Sequence, residues 1–225
     1  MDGLSKDGST HVTDEKINTA THMAGAIFAL FGALLLLLKS IETHKWLHFV
    51  AFCVYGFSLV ALFTMSALHH GVTGSEKTNR RLRTLDYVAV YGLITGSLVP
   101  VCLVLFRGVL GYSVLAVALA VTAFGVTMRS IYHTLPNYIS LTLYLCLGWL
   151  PVLLILLSRS VLSAGGLLWF FAGGFFYTAG SIVYGLRAPN PIKGRFGFHE
   201  IWHVAVLLGV LCHYMFMYLY VLPVK

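Results

Sequence analysis

Long runs without charge are the feature that most constrains this chain. When the sequence is divided at every Lys, Arg, Asp and Glu, seven segments of twenty or more residues remain. They cover 17–38, 46–75, 87–106, 108–128, 130–158, 160–186 and 201–224. A helix of about 20 apolar residues crosses the roughly 30 Å hydrocarbon layer of a membrane. We therefore predict an all-α fold, a bundle of seven transmembrane helices.

The composition excludes several classes of protein. Charged residues make up 10% of the 225 residues, and hydrophobic residues make up 58%. A soluble domain carries about 25% charged residues. Because so few charges cannot cover a water-soluble surface, the chain is not an ordinary cytosolic enzyme, a nucleic-acid-binding module or a disordered protein.

The net charge of +7 is explained by membrane topology. Basic residues collect on the cytoplasmic side of membrane proteins. With seven spans, ten of the fifteen Lys and Arg residues fall on the side of the N-terminus. We therefore expect a cytoplasmic N-terminus and a C-terminus on the outer face. Residues 1–16 are predicted to form a short polar segment, and residues 17–225 a single seven-transmembrane domain.

Polar side chains from three predicted helices meet at the cytoplasmic end of the bundle. Span 2 ends there, and spans 3 and 7 begin there. The residues concerned are Ser66 and His70 on span 2, Asp86 on span 3, and His199 and His203 on span 7. Ionisable residues within membrane segments are costly and usually functional. The simpler alternative is that these histidines are packing residues satisfied by hydrogen bonds.

The spacing of these residues points to a metal ion. His199 and His203 lie four residues apart, so both imidazoles share one face of a helix, one turn apart. They also belong to a literal HExxH pattern, which is typical of zinc sites. His70 is the candidate third ligand, and three histidines with one open position are typical of catalytic zinc. Asp86 is a candidate base or a partner that orients a ligand imidazole, and Ser66 lies one turn deeper than His70.

The remaining histidines are weaker candidates. His69 points about 100° away from its neighbour His70 on the same helix. His213 lies about 15 Å deeper than His203, which is too far for a shared metal. The others on the same side of the membrane, such as His22, are isolated in the sequence. We therefore expect these residues to lie outside the metal site.

The chain resembles the hemolysin III family, within the progestin and adipoQ receptor group that includes the adiponectin receptors. Four segments carry the resemblance, which covers nearly the whole chain. They are Glu15-Lys16-Ile17-Asn18-Thr19-Ala20-Thr21-His22, Ser66-Ala67-Leu68-His69-His70, Asp86, and Gly197-Phe198-His199-Glu200-Ile201-Trp202-His203.

The resemblance implies a seven-helix protein with a zinc ion (Zn2+) near the cytoplasmic face. It implies that the zinc ligands are His70, His199 and His203, with Ser66 and Asp86 beside the zinc-bound water. The wider superfamily includes alkaline ceramidases, which hydrolyse a lipid amide. Bacterial relatives are linked to cytolysis and to membrane lipid homeostasis. The short N-terminus is typical of a bacterial member, located in the inner (plasma) membrane.

Three hypotheses for function follow. The first is zinc-dependent hydrolysis of a lipid amide, with Asp86 and Ser66 as catalytic residues and a membrane lipid as substrate. The second is a non-enzymatic membrane receptor or sensor in which zinc is structural. The third is a pore-forming cytolysin, although the predicted spans lack a polar face that could line a pore.

Overall fold

A computed structural model describes residues 15–132, 136–158, 161–192 and 194–225. Within these ranges, seven helices are long and apolar enough to cross a membrane. They are α1 (Glu15–Glu42), α2 (Trp46–Gly71), α3 (Glu76–Leu105), α4 (Val109–Ile131), α5 (Asn137–Leu157), α6 (Ala164–Leu186) and α7 (Phe198–Val221). The predicted all-α bundle of seven transmembrane helices is confirmed. Residues 1–14, most of the predicted N-terminal segment, lie outside the described residues, and the division into one segment and one domain stays a prediction.

The start of α3 differs from the prediction. The uncharged run begins after Asp86, but the helix already begins at Glu76. Ser75 caps the first turn, because its hydroxyl accepts a hydrogen bond from the Thr78 backbone N–H, and Glu76 pairs with Arg80 at 2.9 Å. Four basic residues that precede the uncharged run are therefore helical: Lys77, Arg80, Arg81 and Arg83. Charge marks the edge of the membrane, whereas Arg, Lys and Glu are good helix formers.

Prolines shape two of the spans. In α5 the helical residues are Asn137–Trp149 and Val152–Leu157, and Pro151 lies between them. Proline lacks a backbone N–H and clashes with the preceding turn, so it breaks the regular helix. In α3, Pro100 is followed by a π-helical turn over Val101–Leu105. Both irregular turns lie within membrane spans, where neighbouring helices can satisfy the freed backbone groups.

The helices pack through stripes of small residues. The closest neighbours are α1 with α2, α2 with α3, and α6 with α7, and α7 also packs against α1. The buried stripe of α1 includes Gly25, Ala29 and Ala33, whereas Phe28 and Phe31 on its outer face are 75% and 66% exposed. Small residues let membrane helices approach closely. The exposed aromatic side chains form the surface that faces lipid.

Gly96 offers a direct test of this packing. A Cβ atom at Gly96 on α3 would lie 2.3 Å from the Ser58 Oγ and 2.6 Å from the Ser58 Cβ on α2. Gly96→Ala should therefore destabilise the bundle by about 1–3 kcal/mol, because overpacking forces side chains and backbone apart. Thermal unfolding in detergent would measure the loss. Gly92→Ala is the matched control one turn earlier, where no described heavy atom lies within 4 Å of the added Cβ. Equal unfolding temperatures for the two variants would contradict the packing argument.

Candidate metal centre

His70, His199 and His203 meet at the end of the bundle where α2 ends and α7 begins. One ring nitrogen from each lies within 4.8 Å of those from the other two. The three ring centroids form a nearly equilateral triangle, with separations of 4.8, 4.9 and 5.0 Å. The exposed fraction of each residue is 5% or less. The structure therefore brings together the three residues that the sequence predicts as metal ligands.

The beginning of α7 is fixed by Glu200. Its Oε2 accepts a hydrogen bond from the Gly197 backbone N–H at 2.7 Å, which caps the helix. Its Oε1 accepts a hydrogen bond from the Asn18 Nδ2 at 3.0 Å, which joins α7 to α1. With both carboxylate oxygens engaged in this way, Glu200 positions the helix that carries two of the histidines. The HExxH pattern is thus present here without a free glutamate for base catalysis.

Glu15 on α1 orients His70. Its Oε2 lies 2.5 Å from the His70 Nδ1. Because a carboxylate can only accept, Nδ1 carries the proton and Nε2 is the nitrogen available to a metal. Histidines that bind metals usually donate their other ring N–H to a carboxylate or a carbonyl. The pair of Glu15 and His70 therefore has the arrangement expected around a metal ligand.

The donor set fits zinc. Zinc binds histidine nitrogens at about 2.0–2.1 Å in tetrahedral geometry, so the ligands of one ion lie about 3.4 Å apart. The ring nitrogens of the three histidines lie within 4.8 Å of one another, which is close to the separation that one zinc ion requires. The buried Nδ1 of His203 has no hydrogen-bond partner among the described residues. Since burying a polar atom without a partner is unfavourable, a cation bound at this nitrogen would remove that cost.

Asp86 and Ser66 border the same space. A carboxylate oxygen of Asp86 lies within 4.8 Å of ring nitrogens of His69 and His70. Ser66 is buried next to Asp86, and both line the cavity that reaches His199. Four of the five residues predicted from the sequence thus line one internal space, and the fifth, His70, contacts the two histidines of α7 at its end.

Two histidines that we predicted to lie outside the metal site are found beside it. The His22 ring stacks on the His203 ring, with centroids 3.8 Å apart. His69 is 3% exposed and lines the cavity, with its centroid 4.8 Å from that of His70. The 100° offset does not remove His69 from the site, because one of its ring nitrogens lies within 4.8 Å of a carboxylate oxygen of Asp86 on α3. His133 lies outside the described residues.

Glu15, Asn18 and His22 could have been found from their spacing. They recur at i, i+3 and i+7, which places them on one face of α1. A polar stripe of this kind on an otherwise apolar helix indicates a buried polar interface. Asn18 and His22 are indeed among the most buried residues of the helix.

Residues 10–214 match a family model described as "Haemolysin-III related". The chain belongs to this family. The "Hemolysin-3" of Bacillus cereus is 30% identical to this chain over 212 residues, which are 94% of each protein. The "Hemolysin-3 homolog" of Bacillus subtilis (strain 168) is 28% identical, over 88% of this chain and 90% of its own length. The "ADIPOR-like receptor IZH2" of Saccharomyces cerevisiae is 26% identical, over 90% of this chain and 70% of its own.

In this haemolysin-III family member, a second polar cluster borders the site on the side of α4. The Arg129 guanidinium lies 3.7 Å from the centre of the Tyr87 ring, a cation–π contact. The Tyr87 hydroxyl donates a hydrogen bond to the Asn137 Oδ1 at 3.3 Å and lies 3.2 Å from the Tyr184 hydroxyl. Arg129 is 4% exposed. The cluster therefore places a buried positive charge beside the carboxylate of Asp86.

One cavity runs from the histidines deep into the bundle. Asp86 and His199 line it at one end, and Phe170, His213 and Met217 line it further in. At 1.5 Å per residue, His199 and Met217 are about 27 Å apart along α7. Most of the lining is aliphatic or aromatic. A long apolar cavity with polar groups gathered at one end is typical of a binding site for a hydrophobic ligand.

Proposed function

We propose that this haemolysin-III family member is an integral membrane zinc enzyme that hydrolyses a lipid amide. The observation that carries the proposal is the group of three buried histidines at the end of an apolar cavity, with Asp86 and Ser66 beside it. Structural zinc sites are closed by four protein ligands, whereas catalytic sites keep one position open. Among the described residues, the three-histidine group shares His70 with a second group of His69, His70 and Asp86. We assign Asp86 to the bound water rather than to the metal, which leaves one position open.

The chemistry of the proposed reaction follows from the residues around the metal position. When bound, zinc polarises a carbonyl group and lowers the pKa of a water molecule to about 7. Asp86 accepts a proton from the attacking water and returns it to the departing amine nitrogen. The Ser66 hydroxyl donates a hydrogen bond to the carbonyl oxygen as negative charge develops there. The products are a fatty acid and an amine.

The apolar cavity and the topology supply the setting for this reaction. The cavity would hold the acyl chain and keep bulk water away from the carbonyl. We infer that the site lies near the cytoplasmic face, because Arg80, Arg81 and Arg187 lie at the same end of the bundle. Lys6, Arg159 and Lys193, which are among the fifteen Lys and Arg residues counted above, lie outside the described residues. The two Bacillus relatives support a location in a bacterial inner membrane.

Turnover by the purified protein tests the proposal. Protein loaded with zinc in detergent would be incubated with a panel of ceramide-type amides and ester lipids, and release of fatty acid would be measured. We expect release from at least one amide, loss of release on chelation, and recovery when zinc is restored. Zinc-loaded protein that cleaves no lipid across the panel would contradict the proposal.

A non-enzymatic receptor or sensor with structural zinc is the second candidate. The yeast relative is named a receptor, and the bond from Asn18 to Glu200 links two helices at the site, as a structural centre would. The name of the Bacillus cereus relative points to cytolysis as a third role. Dye release from liposomes, with His199→Ala as control, separates cytolysis from the other two.

Glu15 is expected to strengthen zinc binding through His70. Glu15→Gln should weaken zinc affinity by about 10-fold or more, because it removes the charge that raises the basicity of the ligand imidazole. Competition with a fluorescent zinc chelator would measure the affinity. Glu42→Gln is the control, since Glu42 lies at the other end of α1 and pairs with Lys39. Equal zinc affinity in the two variants would argue against this role for Glu15.

A further inference from the structure

Two polar aromatic residues lie in the deep part of the cavity, away from the metal centre. They are Tyr177 on α6 and His213 on α7, and both line the cavity. Their ring centroids are 5.4 Å apart. His213 is ten residues beyond His203, about 15 Å along the helix, or half of the roughly 30 Å hydrocarbon layer. Neither residue takes part in the proposed hydrolysis.

The two helices make room for these rings with glycines. A Cβ at Gly173 on α6 would lie 2.2 Å from the His213 ring, and a Cβ at Gly209 on α7 would lie 2.7 Å from the Tyr177 ring. Each ring therefore occupies a space that a glycine leaves on the opposite helix. This reciprocal packing fixes both side chains at the wall of the cavity.

The hydrogen bonds of the pair leave one donor and one acceptor for a ligand. The His213 Nε2 donates to the Phe170 carbonyl oxygen at 3.2 Å. In a neutral imidazole, Nδ1 is then an acceptor. The Tyr177 hydroxyl makes no hydrogen bond to the residues that the structure describes, and its neighbour there is the phenol of Tyr55. A phenylalanine ring would fill the space beside Gly209 equally well. Packing therefore does not account for the Tyr177 hydroxyl.

We propose that Tyr177 and His213 form a subsite for a hydroxyl group in the middle of a lipid chain. A ligand hydroxyl can accept from the Tyr177 O–H and donate to the His213 Nδ1, which satisfies both groups in an apolar environment. The inference rests on the proposed function, since it takes the carbonyl end of the lipid to lie at the metal centre. The preferred substrates are then lipids whose acyl chain carries a hydroxyl about 15 Å from the carbonyl.

Ricinoleic acid and oleic acid test this subsite, because they differ by one mid-chain hydroxyl. Each would displace a fluorescent fatty acid from zinc-loaded protein in detergent. We expect wild type to bind ricinoleic acid about fivefold more tightly, which is the effect of one net hydrogen bond. Tyr177→Phe keeps the ring and should abolish the preference while leaving oleic acid affinity unchanged. Tyr91→Phe should keep the preference, since Tyr91 is buried elsewhere in the bundle, against Tyr144, and does not line the described cavity.

The outcomes separate this inference from the proposed function. Equal affinities in wild type, a preference that survives Tyr177→Phe, or no binding of either acid would each overturn the subsite. Turnover of unsubstituted lipid amides, measured in parallel, would leave the hydrolase intact in all three cases. A clear preference without any turnover would support the subsite and overturn the hydrolase.

Discussion

Replacing His199 and His203 together with alanine is expected to reduce bound zinc from about one ion per chain to none. The two residues supply two of the three nitrogens that meet within 4.8 Å, and His70 alone cannot retain the ion. Mass spectrometry of the metal content of detergent-purified protein would measure the loss. The same variant should no longer gain thermal stability from added zinc, because a ligand stabilises only the state that binds it.

The control for this variant lies on the same helix. His213→Gln also removes a partly buried imidazole from α7, but outside the group of three histidines, so it should keep its zinc. A wild-type protein without metal after careful purification would contradict the metal centre. A double variant that retains a full complement of zinc would contradict this choice of ligands.

The three histidines could be predicted from the sequence because two simple rules determine their positions. Counting spans gives the side of the membrane on which each helix begins or ends, and the four-residue spacing gives a shared face. His70 lies where span 2 ends, and His199 and His203 lie where span 7 begins. All three are therefore predicted on the same side of the membrane. The structure brings their rings to within 5.0 Å of one another.

The neighbours of the site depend on helix rotation and packing, which the sequence does not determine as directly. His69 differs from His70 by 100°, yet both rings are buried. The His70 ring contacts His199 and His203 on α7, whereas a ring nitrogen of His69 lies within 4.8 Å of the Asp86 carboxylate on α3. Glu15 contacts His70 across 55 positions of the chain, which requires α1 to lie beside the end of α2. The early start of α3 was missed because charge identifies the membrane boundary and not the beginning of a helix.

Asp86→Asn is expected to lower lipid amide hydrolysis by at least about 100-fold, with zinc content unchanged. The amide keeps the size of the side chain but cannot accept the proton of the attacking water. Because the three-histidine group does not include Asp86, the metal should remain bound. Initial rates of fatty acid release and zinc content would be measured on the same preparation. Glu76→Gln, an exposed change on the same helix, should leave both unchanged.

The two readouts of this variant decide between catalysis and a structural metal. If zinc stays and hydrolysis falls, Asp86 acts on the reacting atoms, as an open zinc site requires. If zinc is lost as well, Asp86 holds the metal and the site is closer to a structural centre. If the rate stays at the wild-type value, another group near the metal accepts the proton. His69 is a buried candidate, because one of its ring nitrogens lies within 4.8 Å of the Asp86 carboxylate. The Ser66→Ala variant then becomes the sharper probe, since a lost hydrogen bond to the developing oxyanion would still lower the rate by about 100-fold.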